Sequence, residues 1–434
     1  MIQTLKREMQ DVVENNILRF WLDRMIDREH GGFYGRIDGH GTLHPDAEKG
    51  AILNARILWS FSAAYRVFSH LSPLTSHLQE YLEAATRAKD YIIDHFIDKE
   101  YGGVYWSLDS EGNPMDTKKQ FYAIGFAIYG MSEYARATGD REALECALQL
   151  FDCIEEHAFD SEHNGYIEAC TREWGTIADM RLSELDANYP KSQNTHLHII
   201  EPYANLYRTL KEFRAAESCD YVPAIGSVLP IGITVPNDDV IRVEAALRNI
   251  IGIFTDKILN PETHHLDLFF DMDWTREAGR LESYGHDIEC SWLMHEAALV
   301  LGDHTVLKKV EPIVQMVAKA SEKGLRPDGS MIHEANLDTG HVDDDLHWWV
   351  QAENVVGWYN IYQHFGDEKA LQHALRCWDY IKRNLIDYDN DEWYWSRHID
   401  GTLNTVDDKA GFWKCPYHNS RMCLEIIERI GTEN

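Results

Sequence analysis

The chain has 434 residues, 44% of them apolar and 26% charged, enough to bury a large core in one domain or several. A formal net charge of −31 at pH 7 argues against nucleic acid or an anionic membrane as partner, since either polyanion is repelled across the whole surface. No apolar run reaches the length of a membrane span, and neutral substrates fit this balance best.

The first residues, "MIQTLKREMQDVVENNILRFW", alternate charged and apolar positions at helical spacing and lack the unbroken apolar run of a signal peptide. The eight cysteines include no C-x-x-C pair, and Cys146 and Cys153, seven apart in a helical pattern, read as buried thiols. A reduced, cytoplasmic protein is expected.

From Asp27 onward one pattern recurs. "DREHGGFYGRIDGHGTL" is echoed from Asp98, Asp160, Asn260, Arg326 and Asp389, each time as a polar or glycine turn, an alternating apolar strand and a second turn. That is the signature of a short β-hairpin. Between hairpins lie pairs of segments with apolar residues at i, i+3, i+4 and i+7, such as "AILNARILWSFSAAYRVF" and "YLEAATRAKDYIIDHF". A Pro/Gly-punctuated insertion around Pro223 to Pro236 lengthens the gap between the third and fourth units. Six such units predict an all-α fold, an (α/α)6 barrel with hairpins at one end, formed as a single domain over residues 1–434.

A second series is chemical. The helices that follow the hairpins carry, in order, Arg56, Tyr122, His198, His286, Glu353 and His418, each in or beside an apolar run. If these helices form the inner ring, the six side chains converge on one cavity.

Taken singly, each position has a plain structural alternative. His286 and Glu289, three apart with Trp292 a turn further on, share a helix face, so the carboxylate is expected to orient the imidazole and favour its protonated form. Asn194 and His198 share a face while His196 turns elsewhere; the H-x-H spacing invites a metal, but neither H-E-x-x-H nor a cysteine cluster accompanies it, and no metal is expected. The pair His264–His265 lies in a hairpin turn and reads as solvated. Trp349 and Glu353 stand a turn apart on an aromatic helix, where a carboxylate needs a partner. Arg56, alone in an apolar run, is paired to a carboxylate such as Glu353 or aimed at developing negative charge. Trp292, Trp349 and Trp413 suit either a core or the flat faces of a sugar.

Assembled, the segments "GGFYG", "ILNARILW", "YGGVYW", "FAIYGMSEYARATGD", "SYGHDIECSWLM", "WWVQAENVVG", "YQHFGDEK" and "WKCPYHNSRMC" resemble, in order and over nearly the whole chain, the N-acylglucosamine 2-epimerase superfamily. The resemblance implies an (α/α)6 barrel that epimerises the reducing-end aldose of a β-1,4-linked disaccharide at C2, without an added cofactor, as a monomer or homodimer. It implies His286 and His418 as the acid/base pair and His198 as supporting histidine. Arg56, Glu289 and Glu353 would be the charged catalytic-site residues, Asn194 and Tyr122 the sugar contacts, and Trp292, Trp349 and Trp413 the aromatic walls. N-Acylglucosamine or mannose 2-epimerisation and aldose–ketose isomerisation remain close alternatives. An inverting glycosidase with Glu289 and Glu353 as its acids is a more distant one.

Overall fold

A computed structural model describes residues 1–71, 77–184, 186–216, 235–343 and 345–431. Twelve helices alternate between two concentric rings. The outer ring holds α1 (Ile2–Val12, continued by wide turns through residue 25), α3 (Leu78–Tyr91), α5 (Arg141–His157), α7 (Asn237–Ile253), α9 (His304–Ser321) and α11 (Glu368–Asn384). The inner ring holds α2 (Ala51–Leu71), α4 (Phe121–Thr138), α6 (Gln193–Ala216), α8 (Tyr284–Leu301), α10 (Trp348–Phe365) and α12 (Tyr417–Gly431). Each inner helix packs on the next, and α12 packs back on α2, which closes the expected (α/α)6 barrel. Most of the insertion around Pro223 to Pro236 lies outside the described residues.

Sequence pattern separates the rings. α4 is buried on nearly every side, from Phe121 to Ala135, so it has no polar face to give to water. α11 buries one stripe, Ala370, Leu371, Ala374, Cys377, Trp378, Tyr380 and Ile381, and leaves its other residues half-buried or exposed. Three inner-to-outer turns share a Gly-Asp pair. Gly139, Gly302 and Gly366 take the left-handed conformation that ends α4, α8 and α10, and Asp140, Asp303 and Asp367 then cap the first backbone N–H groups of the outer helix.

The hairpins repeat six times, as single bridges Ile26–Phe33, Ile97–Val104, Phe159–Tyr166, Leu259–Leu266, Leu325–Met331 and Ile386–Trp393. In five of them an Asp or Asn side chain accepts backbone N–H bonds two and three residues on. In the sixth unit that residue is Asp387, so that turn begins two residues before Asp389.

The strand leading into each inner helix pairs with the next unit's hairpin. Lys49–Gly50 joins Ser107–Leu108, Lys119–Gln120 joins Ala169–Cys170, and Lys191–Ser192 joins Phe269–Phe270. Leu281–Ser283 joins Glu334–Asn336, Asp345–His347 joins Ser396–His398, and Ala410 bridges back to Ile37 of the first unit. Six sequential junctions therefore hold the inner-helix N-termini around one mouth.

The solvated reading of His264–His265 fails for the second residue. His265 is buried, its Nδ1 2.6 Å from Asp287, because an ionised Asp287 inside the barrel needs a partner. Cys146 and Cys153 are free and half-buried rather than fully buried. Among the described residues no helix is long and apolar enough to cross a membrane.

Candidate active site

All six residues of the chemical series fall within the first two turns of their inner helices, so the hairpin junctions set where they point. Arg56, Tyr122, His198, His286 and His418 line a cavity of about 260 Å³ at the mouth, with Asn194, Glu289, Trp349 and Trp413. Trp348 and Trp395, which the sequence reading did not select, complete the aromatic wall. A second lobe of about 330 Å³ shares seven wall residues, Leu182, Ser183, Asp186, Asn194, His286, His333 and His347, and extends the cleft outward. A larger groove of about 820 Å³ lies on the outer ring by Arg19 and Arg87 and holds none of these residues.

His286 and His418 both pack against Trp349, with ring centroids 5.0 and 5.7 Å from the indole. Each has its Nδ1 engaged away from the opening, His286 with Ser283 Oγ at 2.7 Å and His418 with Glu353 Oε1 at 2.7 Å. Nε2 is thus the nitrogen each can offer to a ligand. Against an ionised Glu353, His418 keeps its proton on Nδ1 and presents a bare Nε2. Ser283 can donate or accept, so His286 can present Nε2 with or without a proton.

The expected pair between His286 and Glu289 is not formed. Glu289 Oε1 instead accepts from Arg421 Nη2 at 2.9 Å and lies 3.9 Å from His418 Nδ1. Arg421 also bonds Glu353 at 2.6 Å and reaches Glu201, which holds His198 Nδ1 at 3.1 Å. Tyr417 donates its hydroxyl to Glu201 as well. Arg421 is therefore the hub beneath the cavity floor, binding three carboxylates, of which Glu201 and Glu353 orient histidines.

Neither Arg421 nor Glu201 was assigned a role from the sequence, although a signal was present. His198, His286 and His418 are each followed three residues later by a charge, Glu201, Glu289 and Arg421, buried on the same helix face.

Arg56 does not pair with Glu353, because Arg421 already occupies it. Its guanidinium donates to Tyr122 Oη at 2.9 Å and lies over the Phe126 ring at 4.1 Å, with no carboxylate bonded to it among the described residues. That cation stays available to a ligand. Trp292 is not part of the wall: it is fully buried below the floor and donates Nε1–H to Glu353 at 2.9 Å. Glu353 likewise sits one layer down, acting through His418. His196 turns away from His198, with Nδ1 2.6 Å from Ser192 O and Nε2 accepting Tyr166 N–H at 3.0 Å, so H-x-H is no chelate.

Electrostatics follow from burial. Desolvation pushes His418 down to about 3 despite Glu353, and drives His286 well below the ordinary imidazole range, helped by the neighbouring His333. His198 is lowered for the same reason. Burial raises Glu353, but Arg421 and His418 outweigh it and bring it down to about 2. Burial and the Glu353 charge hold Glu289 well above the carboxylate range. Burial thus favours the neutral form of all three imidazoles and of the Glu289 carboxyl, against the protonated His286 expected from its sequence neighbour.

The two glutamates also fail the geometry of an inverting glycosidase. A carboxylate oxygen of each lies within 4.8 Å of the other, on one side and around one arginine, whereas that mechanism needs acids about 6.5–9.5 Å apart across the bond.

Comparison with known proteins agrees with this geometry. The N-acylglucosamine 2-epimerase (GlcNAc 2-epimerase) family matches residues 32–205 and 242–420. The chain belongs to that family. It is accordingly an enzyme of the epimerase and isomerase class. The chain is 56% identical to a cellobiose 2-epimerase of Bacteroides fragilis over 98% of this chain and all of that one. It is 38% identical to a cellobiose 2-epimerase of Ruminococcus albus over 99% of each chain. The solved cellobiose 2-epimerase of Bacillus thermoamylovorans B4167 superposes with a TM-score of 0.85 at 37% identity, covering 98% of this chain and all of that one.

Proposed function

We propose that this cavity interconverts the gluco and manno forms of the reducing-end sugar of a β-1,4-linked disaccharide, and that the whole chain serves as one catalytic domain for that reaction. The observation that carries the reading is the placement of His286 and His418 in the wall of one cavity, both against Trp349 and each with Nδ1 engaged so that Nε2 is left to a ligand. The likeness to cellobiose 2-epimerases over the full chain supports a disaccharide, cellobiose first.

A pyranose has no activated C2 hydrogen, so the ring opens first: a base takes the O1 proton while an acid protonates O5. His198 or His418, each bare at Nε2 because its Nδ1 proton faces Glu201 or Glu353, takes the O1 proton, and the imidazolium so formed is the acid that returns it to O5 as the C1–O5 bond breaks. The open aldehyde acidifies C2–H. One of the pair His286 and His418 removes it, and the other returns a proton to the opposite face, with roles exchanged in the reverse direction. Arg56, unpaired to any carboxylate and steadied by Tyr122, stabilises the enediolate, as do the inner-helix N-termini gathered around the mouth. Glu289, whose carboxyl is pushed towards its protonated form by burial and the Glu353 charge, lies 3.9 Å from His418 Nδ1.

The test is proton NMR of EDTA-treated protein with cellobiose in deuterium oxide. Glucosyl-mannose carrying deuterium at C2 is expected, and His286→Ala and His418→Ala should each lose about 10²–10⁴-fold in kcat with helicity unchanged. A ketose product would move the reading to aldose–ketose isomerisation, and an active histidine variant would overturn the pair.

A further inference from the structure

The outer lobe of the cleft carries a cluster that the proposed reaction does not use. His333 Nδ1 lies 3.0 Å and His347 Nε2 3.3 Å from the same oxygen, Asp343 Oδ2. These three ligand atoms all lie within 4.8 Å of one another. We propose that His333, Asp343 and His347 form a binding site for a divalent transition metal, zinc by ligand chemistry, at the rim of the cleft.

The geometry supports a cation. Zinc bonds of about 2.0–2.2 Å to nitrogen and oxygen place tetrahedral ligand atoms about 3.3–3.5 Å apart, so the three groups need to spread only slightly to admit the ion. Two imidazoles with one carboxylate are a borderline-soft set that suits zinc better than calcium or magnesium. Side-chain exposures of 18%, 28% and 16% leave a path to the lobe and a fourth position for water. Glu334 Oε2, 3.8 Å from His333 Nε2, is placed to orient that ring from behind. The other triad with converging atoms, Glu289, Glu353 and His418, already holds the Arg421 cation and is not available.

The ion bears on turnover. The His333 ring lies 6.0 Å from the His286 ring and 5.2 Å from Trp349, centroid to centroid. A dication there, with its bound water, stands in the wall shared by both lobes of the cleft and obstructs the space beside His286 and Trp349. Zinc bound at the rim therefore inhibits. This inhibitory half rests on the proposed epimerase reading; metal binding itself does not.

The experiment separates the two. EDTA-treated protein is titrated with Co²⁺ while visible absorption is followed, and in parallel epimerisation is assayed against Zn²⁺, each variant normalised to its own metal-free rate. Wild type should bind one Co²⁺ per chain with the intense ligand-field absorption of a four-coordinate ion. Asp343→Asn and His347→Gln should each lose at least the ~10–100-fold in affinity typical of outer-shell changes, and the same factor in zinc sensitivity. His341→Ala, an exposed neighbour, should change neither. Absence of the absorption in wild type, or its persistence in both ligand variants, overturns the site. Binding without inhibition would retain the site and overturn the link to His286.

Discussion

Four of the six hairpin turns are clipped to the barrel by a buried lysine, and two are not. Lys49 bonds Asp27 at 2.7 Å, Lys119 bonds Asp98 at 2.9 Å, Lys191 bonds Asp160 at 2.7 Å, and Lys409 reaches Asp387. The first three lie two residues before α2, α4 and α6, and each also donates to a carbonyl inside the turn it holds. In the fourth and fifth units the corresponding positions are Glu282 and Leu346. Those two units supply His286, Trp349 and the cluster of His333, Asp343 and His347. The rim is stapled where the barrel needs closure, and it is given over to imidazoles where the cleft opens.

The sharpest way to break that contrast is at the hub both sides share. Arg421→Met leaves Glu201, Glu289 and Glu353 buried with no cation between them. At least the ~3–5 kcal/mol typical of orphaning one buried charge is expected in urea unfolding, with activity lost because Glu353 and Glu201 no longer fix the histidines. Lys49→Met tests the staple alone. Asp27 and Lys49 are both fully buried, so about 3–5 kcal/mol should go while kcat of the folded fraction stays. On the open side, Lys323→Met removes the bridge to Glu282, but that lysine is 55% exposed, and a loss below about 1 kcal/mol is expected. Equal losses at Lys49 and Lys323 would erase the distinction.

Acid should act on both halves. His418 is held down to about 3, and His196 and His295 to about 4, by burial. Their folded values lie below the unfolded value of about 6.5, so between these limits the unfolded chain binds more protons and stability falls as pH falls. Thermal unfolding should show the midpoint constant above pH 7 and dropping from pH 6.5 downward, as stability falls by roughly 2 kcal/mol per buried imidazole by pH 5. A midpoint that rises on acidification would contradict neutral histidines in the core.

The sequence was most legible where the pattern is local. Turn residues, helix periods and the sixfold spacing depend on neighbours along the chain, so the barrel and the line of residues from Arg56 to His418 could be read directly. Pairings across the ring could not. Glu289 looked like the partner of His286 because the two are three apart, yet Arg421, 132 residues away, holds it. Trp292 looked like a sugar wall because it follows the same face, yet its depth along α8 puts it below the floor. The His333, Asp343 and His347 cluster joins two separate segments that only the rim strands bring together.

The smallest effect on stability asks how a clipped unit still supplies a histidine to the proposed active site. His198 sits in α6 with φ −92° and ψ 15°, off the helical path. The cause is four residues on: Pro202 has no N–H to offer the His198 carbonyl, and its ring keeps the turn from closing. The displaced carbonyl packs against α4 at Gly125, where a Cβ would stand 2.4 Å from the oxygen, so no larger residue fits. Pro202→Ala restores the donor and lets the turn tighten, which rotates His198 away from Glu201. A stability change within about 1 kcal/mol is expected, because the regained hydrogen bond offsets the greater freedom of the unfolded chain. A several-fold fall in kcat with little change in KM is expected beside it, since ring opening loses its oriented base while the sugar contacts remain. Unchanged kcat would mean that Glu201 and Gly125 hold His198 without help from the proline.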